Sequence, residues 1–262
     1  MQTTLQGKSL VIVGGTTGMG LSAAKACITA GARVVVVGKD PETTAAAEMV
    51  LGEKVLAFTG DASDPHTAER AIGEAIAAFG GFHGLYHVAG GSGRRIGDGP
   101  VHEMTEEGWN WTLNHNLTTL MYSNRAAIRQ FLAQGSGGSI LNMSSVLAWS
   151  PSPRHFATHA YAAAKAAIIG FTKSLAATYA AKDIRVNVVA PAVMNTPMAQ
   201  RAAESEEIRQ YLITKQPLQG GRMGNPEDLE GAVVWFLSEG SRFVTGQTLA
   251  IDGGWTVSEG QG

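Results

Sequence analysis

The chain has 262 residues, of which 20 are basic and 22 acidic, and one cysteine, Cys27. This length can bury the core of one large domain, while the near-neutral charge without basic blocks argues against nucleic-acid binding, and one cysteine excludes an internal disulfide framework. No apolar run approaches the roughly 20 residues that span a bilayer. The start at Met1 shows no charged-then-apolar leader, so we expect a soluble cytoplasmic protein.

The first elements predict a strand, a glycine-rich turn and a helix. Ser9–Val13 is a short, β-branched apolar run typical of a buried strand, and residues 21–30 form the helical pattern. Between them, Gly14 can make the tight turn, Gly18 lets a phosphate approach the backbone, and Gly20 permits close helix–strand packing, while the helix N-terminus attracts the anion. A glycine pattern alone fits a plain loop, but in this context it indicates dinucleotide binding.

The second strand, residues 33–37, leads to the position that selects the cofactor. In this architecture the residue that reads the adenosine ribose lies roughly 20 residues past the glycines. An acidic residue there favours NAD and a basic one NADP. Asp40 precedes Pro41 and an alanine-rich helix, so it is also a good helix N-cap, which leaves Lys39 as the better cofactor candidate. NADP(H) is therefore favoured and NAD(H) stays open, with a solvated Lys39 as the alternative. The same Asp/Asn-Pro arrangement recurs at Asp64-Pro65 and Asn225-Pro226.

Two further strands continue the alternation of strand and helix. Residues 54–58 precede Gly60-Asp61-Ala62, and residues 83–89 precede Gly90-Gly91. Alternating elements predict a parallel, doubly wound sheet with right-handed crossovers. Each special residue falls just after the carboxyl end of a strand, where ligands bind in such sheets.

The middle of the chain carries the candidate chemistry. Residues 105–133 read as one long helix, residues 138–145 as a fifth strand, and Ile184–Pro191 as a sixth, while residues 245–254 contain a seventh. Tyr161 and Lys165 stand four residues apart on an alanine-rich helix over residues 161–181, so that they share one face. A lysine beside a phenol lowers the tyrosine's pKa and gives an acid/base group usable near neutral pH. For the pair alone, a solvated Tyr and Lys on a helix surface is the more common interpretation, because helices of this composition are common.

Taken in order, these elements resemble the short-chain dehydrogenase/reductase family from about Leu5 to Trp255. The matching elements are the glycine turn, Asp61, Asn116, Ser145, the Tyr161/Lys165 pair, Pro191 with Thr196, and the Asp252-Gly-Gly254 end. The resemblance implies one α/β catalytic domain over residues 1–262. Its Rossmann-like parallel sheet would have seven strands in the order 3-2-1-4-5-6-7, with helices on both faces.

The resemblance also implies roles for four residues. Tyr161 would exchange a proton with the substrate oxygen, Lys165 would lower the pKa of Tyr161 and hold the nicotinamide ribose, and Ser145 would hydrogen-bond the substrate. Asn116 would hold a water that links Lys165 to solvent. The implied enzyme moves a hydride between nicotinamide and a secondary alcohol or ketone. A non-catalytic dinucleotide sensor or scaffold is the alternative, although a pure binder has no need of all four residues. We expect the neighbouring Ser144 only to form hydrogen bonds at the end of the strand.

The implied cofactor site is large. Asp61 and the Ala62 backbone would face adenine, and Thr196 the nicotinamide carboxamide. The full set is Gly14, Thr16, Thr17, Gly18, Met19, Gly20, Gly38, Lys39, Asp61, Ala62, Ala89, Gly90, Tyr161, Lys165, Pro191, Val193 and Thr196.

The chain departs from the family's pattern at several positions. They are Val13 in place of Thr, His87-Val88 in place of Asn-Asn, and Ala192 in place of Gly. The interval from Ser145 to Tyr161 is longer than usual, with the extra length in residues 149–159. These differences affect local hydrogen bonds, the cofactor fit and the pocket, but remove no catalytic group.

Three segments are expected to surround a small-molecule substrate: residues 149–159, residues 90–95, and a lid over residues 193–222. Arg94 and Arg95 could bind an acidic substrate or a subunit neighbour, and solvation is the alternative. His155 and His159 are four apart, but no carboxylate completes a metal pattern, so no metal site is predicted.

The helices over residues 105–133 and 161–181 pack against partner subunits in the family, which implies a homotetramer. Their apolar faces could equally cover the chain's own sheet.

Overall fold

The computed structural model describes residues 4–260. Residues 1–3 and 261–262 lie outside the described residues. The predictions of a start without a leader and of a domain over residues 1–262 therefore extend beyond the described part. Seven parallel strands form one sheet in the order β3-β2-β1-β4-β5-β6-β7, which confirms the expected architecture. The strands are β1 (Ser9–Val13), β2 (Arg33–Gly38), β3 (Val55–Thr59), β4 (Gly84–His87), β5 (Gly138–Met143), β6 (Ile184–Pro191) and β7 (Thr248–Ile251).

Helices cover both faces of the sheet, which explains why the central strands β1 and β4 are buried along their whole length. In β1, Leu10 and Ile12 point to one core, whereas Val11 and Val13 point to the other. The helices are α1 (Gly18–Thr29), α2 (Pro41–Leu51), α3 (Thr67–Phe79), α4 (Glu106–Leu113), α5 (Thr119–Gln134), α6 (His159–Tyr179), α7 (Gln200–Glu204), α8 (Glu206–Lys215) and α9 (Glu230–Leu237). The first core is covered by α1, α2 and α9, and the second by α3, α5 and α6.

The predicted helix over residues 105–133 contains a π-helical turn, Asn114–Thr118, between α4 and α5. Asn116 lies in this turn, and its Nδ2 donates to the Thr112 carbonyl at 2.9 Å. A side chain that inserts into the backbone ladder is a common cause of such a bulge, and π-turns are frequent at functional sites.

Two strands end earlier than predicted because the chain turns out of the sheet. After β4, the amides of Val88 and Ala89 both donate to the Val13 carbonyl, at 2.9 and 3.0 Å. After β5, the Ser144 amide donates to Val189 at 2.9 Å, and Ser145 caps a short 3₁₀ turn. The residues expected at these strand ends therefore lie on the loops above the sheet.

The predicted Asx-Pro caps are confirmed at two of three places. Asp40 accepts from two backbone amides of α2, and Asn225 forms a capping box before a 3₁₀ turn. The prediction is wrong at Asp64, because α3 begins only at Thr67. Asp64 instead holds the preceding turn and forms an ion pair with Arg70 at 2.6 Å.

The segment between β6 and β7 carries α7 and α8, which precede α9. Ala202, Ile208 and Leu212 of these helices pack with Val146 and the buried Trp255 in a small apolar cluster of their own. The described part of the chain contains no helix that is long and apolar enough to cross a membrane.

Candidate active site

A cavity of about 910 Å³ opens above the carboxyl ends of the strands. Its wall combines the loops after β4, β5 and β6 with the first turns of α6 and with α7. Ser145, Tyr161 and Lys165 all line it, as predicted from the sequence. The predicted cofactor residues on its wall are Met19, Gly90, Tyr161, Lys165, Pro191, Val193 and Thr196.

Tyr161 is fixed by a buried carboxylate that comes from a distant loop. Asp98, which is 3% exposed, accepts from the Ala160 and Tyr161 amides at 3.0 Å each. These amides belong to the first turn of α6, where backbone N–H groups have no partner within the helix. The negative charge also suits the positive end of the helix dipole. Asp98 thus fixes the first turn of α6 and, with it, the position of Tyr161.

The Tyr161 hydroxyl is protonated in this site at neutral pH. Burial raises the pKa of Tyr161 to about 12, and a hydrogen bond with Ser145 opposes part of that shift. The net shift of this pKa is therefore upward, opposite to the direction predicted from Lys165. The lysine Nζ lies 5.4 Å from the centroid of the Tyr161 ring and donates to the Met143 carbonyl at 3.1 Å.

Lys165 is 2% exposed, and burial lowers its pKa to about 7. An ammonium group removed from water is disfavoured unless an anion or several acceptors surround it. Its carbonyl accepts from Ser144 Oγ at 2.7 Å, so Ser144 has the structural role expected of it. The lysine is thus held at the cavity wall in a state that switches its charge near neutral pH.

Asn116 and Lys165 meet beside Gly90. A Cβ at Gly90 would lie 2.7 Å from Asn116 Oδ1 and 3.5 Å from Lys165 Nζ, so only glycine fits there. Asn116 is fully buried, and its amide exchanges hydrogen bonds with the Gly91 backbone at 2.8 and 3.1 Å. The π-turn therefore directs this side chain towards the lysine.

The glycine turn fits a dinucleotide. Gly14 has φ +85°, and a Cβ on Gly20 would lie 2.0 Å from the Gly14 carbonyl oxygen, so the turn closes tightly onto α1. Thr17, the N-cap of α1, makes no side-chain cap, and the first turn of that helix has no acidic residue. The α1 amides are thus available to a pyrophosphate, which a helix N-terminus favours.

The adenosine side of the predicted site follows β2 and β3 at the same sheet edge. Thr16 and Gly38 are in close contact, since a Cβ on Gly38 would lie 2.4 Å from Thr16 Oγ1. Lys39 Nζ lies 3.3 Å from Asp61 Oδ2, with 75% and 41% of the two side chains exposed. The Ser63 amide and then Lys39 lower the pKa of Asp61. The two residues expected to face the adenosine are thus neighbours.

His87 occupies the position where the family pattern has its first asparagine. It is buried, its Nδ1 lies 2.9 Å from Ser123 Oγ on α5, and its Nε2 lies 3.5 Å from Thr119 Oγ1. Burial, followed by the charge of Lys165, lowers its pKa to about 3. A neutral histidine therefore ties β4 to α5 behind the site.

His115 was not among the predicted site residues. It stacks on Trp111 with ring centroids 4.4 Å apart, and its Cδ2 would lie 3.5 Å from a Cβ on Gly91. Burial and then the charge of Lys39 lower its pKa, while Asp61 opposes the shift. His115 thus lies between the adenosine side and the reaction side, and its place directly before Asn116 is the signal that could have revealed it.

The long loop over residues 149–159 contacts the segment between β6 and β7. Arg154 pairs with Glu207 at 2.9 Å, and the His155 ring lies 4.7 Å from that of Tyr211. Within residues 4–260, no group of three or more His, Cys, Asp or Glu could hold a metal ion. Phe156 and Thr158 of this loop line the cavity.

Comparison with known proteins agrees with this geometry. A family model described as Enoyl-(Acyl carrier protein) reductase matches residues 13–256. A 2-dehydro-3-deoxy-D-gluconate 5-dehydrogenase from Dickeya dadantii is 33% identical over 252 residues, which cover 96% of each chain. A 3-oxoacyl-(acyl-carrier-protein) reductase from Chlamydia trachomatis is 32% identical and covers 97% of this chain and 99% of its own.

A solved structure extends the likeness to the fold. The short-chain type dehydrogenase/reductase from Mycobacterium ulcerans superposes with a TM-score of 0.89 at 30% identity, over 98% of this chain and 92% of the other. The chain belongs to the short-chain dehydrogenase/reductase family and is an NAD(P)-dependent oxidoreductase of secondary alcohols or ketones.

Proposed function

We propose that this oxidoreductase uses Tyr161 for proton transfer and prefers NADP(H). The observation that carries the proposal is the meeting of Ser145, Tyr161 and Lys165 on the wall of one cavity, with Asn116 beside the lysine. A dinucleotide sensor would need the glycine turn, but not this group of side chains. No observation favours that second role.

In the reducing direction, Tyr161 donates its proton to the substrate oxygen. Its raised pKa keeps the hydroxyl protonated at neutral pH, and Ser145 provides a second hydroxyl at the same oxygen. Nicotinamide, when bound, supplies or accepts the hydride. A protonated Lys165 stabilises the phenolate that Tyr161 becomes after it has donated its proton. Asn116 lies where a water can relay a proton between that lysine and solvent.

A screen tests this function. Ketones and secondary alcohols are offered with NADPH and NADH, or their oxidised forms, and nicotinamide absorbance reports turnover. We expect turnover with at least one compound and a loss of about 100-fold or more in Ser145→Ala, the range of a positioned polar group in the transition state. Dinucleotide binding without any turnover would instead favour the sensor.

The preference for NADP(H) rests on Lys39. Its ion pair with Asp61 is largely exposed, and such pairs contribute little, so the lysine can turn to a 2′-phosphate. We expect Lys39→Ala to weaken NADP⁺ binding about tenfold or more, as for one charge-assisted hydrogen bond, and to leave NAD⁺ binding nearly unchanged. Lys54→Ala, another exposed lysine near the end of α2, is the matched control. An unchanged NADP⁺ affinity in Lys39→Ala would remove the basis for this preference.

The remaining features of the function follow from the family. We infer that residues 1–262 act as one cytoplasmic catalytic domain, that residues 193–222 act as the substrate lid, and that α4, α5 and α6 take part in a homotetramer. The small apolar cluster in which α7 and α8 pack on Val146 and Trp255, and the position of α7 on the cavity wall, support this lid. Sedimentation analysis at low micromolar concentration tests the assembly, and a monomer there would contradict it.

A further inference from the structure

Three arginines face the cavity that contains the candidate catalytic groups. Arg94 and Arg95 lie on the 3₁₀ turn after β4, and Arg201 lies on α7 across the opening. Lys165 is the fourth cation of the lining, and Glu204 is its single carboxylate among the described residues. That carboxylate accepts a hydrogen bond from Gln200 at 2.8 Å. The lining therefore has an excess of positive charge.

None of these three guanidinium groups forms an ion pair with a carboxylate within residues 4–260. Four other arginines of the same part of the chain do have carboxylate partners, namely Arg70, Arg154, Arg209 and Arg222. The cavity thus presents three guanidinium groups that have no carboxylate partner within the described residues.

Arg201 is exposed, but the long loop over residues 149–159 contacts its guanidinium. Its Nη2 donates to the His155 carbonyl at 2.8 Å, and its guanidinium lies 5.5 Å from the centroid of the Phe156 ring. Phe156 itself lines the cavity. A guanidinium fixed by a carbonyl and an aromatic face keeps further donors for a ligand and loses less entropy on binding.

Arg94 and Arg201 line the same cavity. Burial and then the charge of Arg94 lower the pKa of Arg201. Two like charges facing one cavity destabilise the empty site, and an anion between them removes that cost. Arginine is also the residue best suited to pair with a carboxylate or a phosphate through two parallel hydrogen bonds.

We propose that the substrate is a ketone or alcohol that carries an anionic group, which Arg201 and the Arg94–Arg95 turn bind while Ser145 and Tyr161 face the reacting oxygen. The identity of the reacting carbon rests on the proposed function, whereas the anion site does not. The long loop over residues 149–159 acquires a role in this account, because it holds Arg201 in position. The reaction stays the same hydride and proton transfer, so the anion takes no part in bond breaking.

The test compares each anion with its neutral counterpart. Pyruvate, acetoacetate and laevulinate are measured against their methyl esters, and dihydroxyacetone phosphate against dihydroxyacetone. Turnover is followed with NADPH, and binding by calorimetry in the presence of NADP⁺ at low salt. We expect the wild type to prefer one anion over its neutral partner. The pair that shows the preference tells a carboxylate from a phosphate.

Arg201→Gln and Arg94→Gln should each reduce that preference about tenfold or more, the effect of one charge-assisted hydrogen bond. Arg209→Gln is the matched control, because Arg209 lies on the same segment, pairs with Glu206 and lines a different pocket. Thermal unfolding shows whether each variant is folded. Arg201→Lys, which keeps the charge but not the planar fork, should recover part of the preference.

The outcomes separate the two proposals. Equal binding and turnover of every anion and its neutral partner, or a preference that survives both cavity variants, overturns the anion site. The same loss in Arg209→Gln also overturns it, since that would be a general charge effect. Arginine-dependent anion binding without any NADPH oxidation supports the site and contradicts the proposed reaction instead.

Discussion

Replacing Asp98 tests how the fold positions the proton donor. In Asp98→Ala, the Ala160 and Tyr161 amides each lose a carboxylate acceptor at 3.0 Å. Asp98 is only 3% exposed, so water cannot easily replace it. Losing a helix cap costs about 0.5–2 kcal/mol, and each buried donor left without a partner costs about 1–3 kcal/mol. Since these contributions overlap, we expect the free energy of unfolding to fall by about 2–4 kcal/mol. In a protein of this size, Tm falls by about 2–4 °C for each kcal/mol that is lost.

The matched control is Asp40→Ala. Asp40 also accepts from two backbone amides, at 3.2 and 3.3 Å, but is exposed and caps α2. We expect Asp40→Ala to lower the free energy of unfolding by only about 0.5–2 kcal/mol. Thermal unfolding gives the stabilities, and kcat with a ketone found by screening gives the effect on Tyr161. A fall of about tenfold in kcat for Asp98→Ala alone is the expected result, since misplacing a proton donor by a fraction of an ångström is costly. A wild-type kcat in Asp98→Ala would refute the positioning role.

Two other predictions follow from single contacts. Gly20→Ala should abolish dinucleotide binding measured by calorimetry, because its Cβ would lie 2.0 Å from the Gly14 carbonyl oxygen. The control is Gly73→Ala, in a helix where a Cβ meets nothing within 4 Å. It should bind the dinucleotide normally, and its free energy of unfolding should rise by up to about 1 kcal/mol. Normal binding by Gly20→Ala would show that the turn is not so constrained. Burial lowers the pKa of Lys165 from 10.5 to about 7, so the folded protein binds fewer protons than the unfolded chain between these values. The stability of the wild type relative to Lys165→Met should therefore rise with pH across that window. A wild-type Tm minus variant Tm that stays constant or falls as the pH rises would contradict the burial argument.

The parts of the fold that local pattern controls were predicted from the sequence. The alternation of buried strands and helices and the family resemblance together predicted the sheet order, and the Asx-Pro signals predicted the caps at Asp40 and Asn225. The signal misled at Asp64, where Pro65 and the next residue stay in a turn. A local pattern names a candidate cap, but the surrounding turn decides where the helix begins.

What the sequence did not predict depends on contacts between distant segments. Asp98 is 62 residues from Ala160, and no spacing rule connects a buried carboxylate to that helix. Arg201 likewise meets the His155 carbonyl across 46 residues. Both residues look like ordinary surface charges in the sequence, so only the folded structure shows what they hold.

The Tyr161 pKa shows the same limit for chemistry. A spacing of four residues correctly places Lys165 beside the ring, but the direction of the pKa shift depends on burial, which the spacing does not contain. In the structure both groups are desolvated, which favours the neutral form of each. The site thus holds a protonated phenol ready to donate, and a lysine whose charge changes near neutral pH.

The most direct test of the account is Tyr161→Phe, which removes one hydroxyl and keeps the ring. Steady-state turnover is measured with a substrate of the wild type, and NADP⁺ binding is measured by calorimetry in parallel. The account predicts a binding constant within about twofold of the wild type and a loss of about 100-fold or more in kcat, the contribution expected of a general acid. Turnover close to that of the wild type, with binding intact, would contradict the role of Tyr161 as the proton donor.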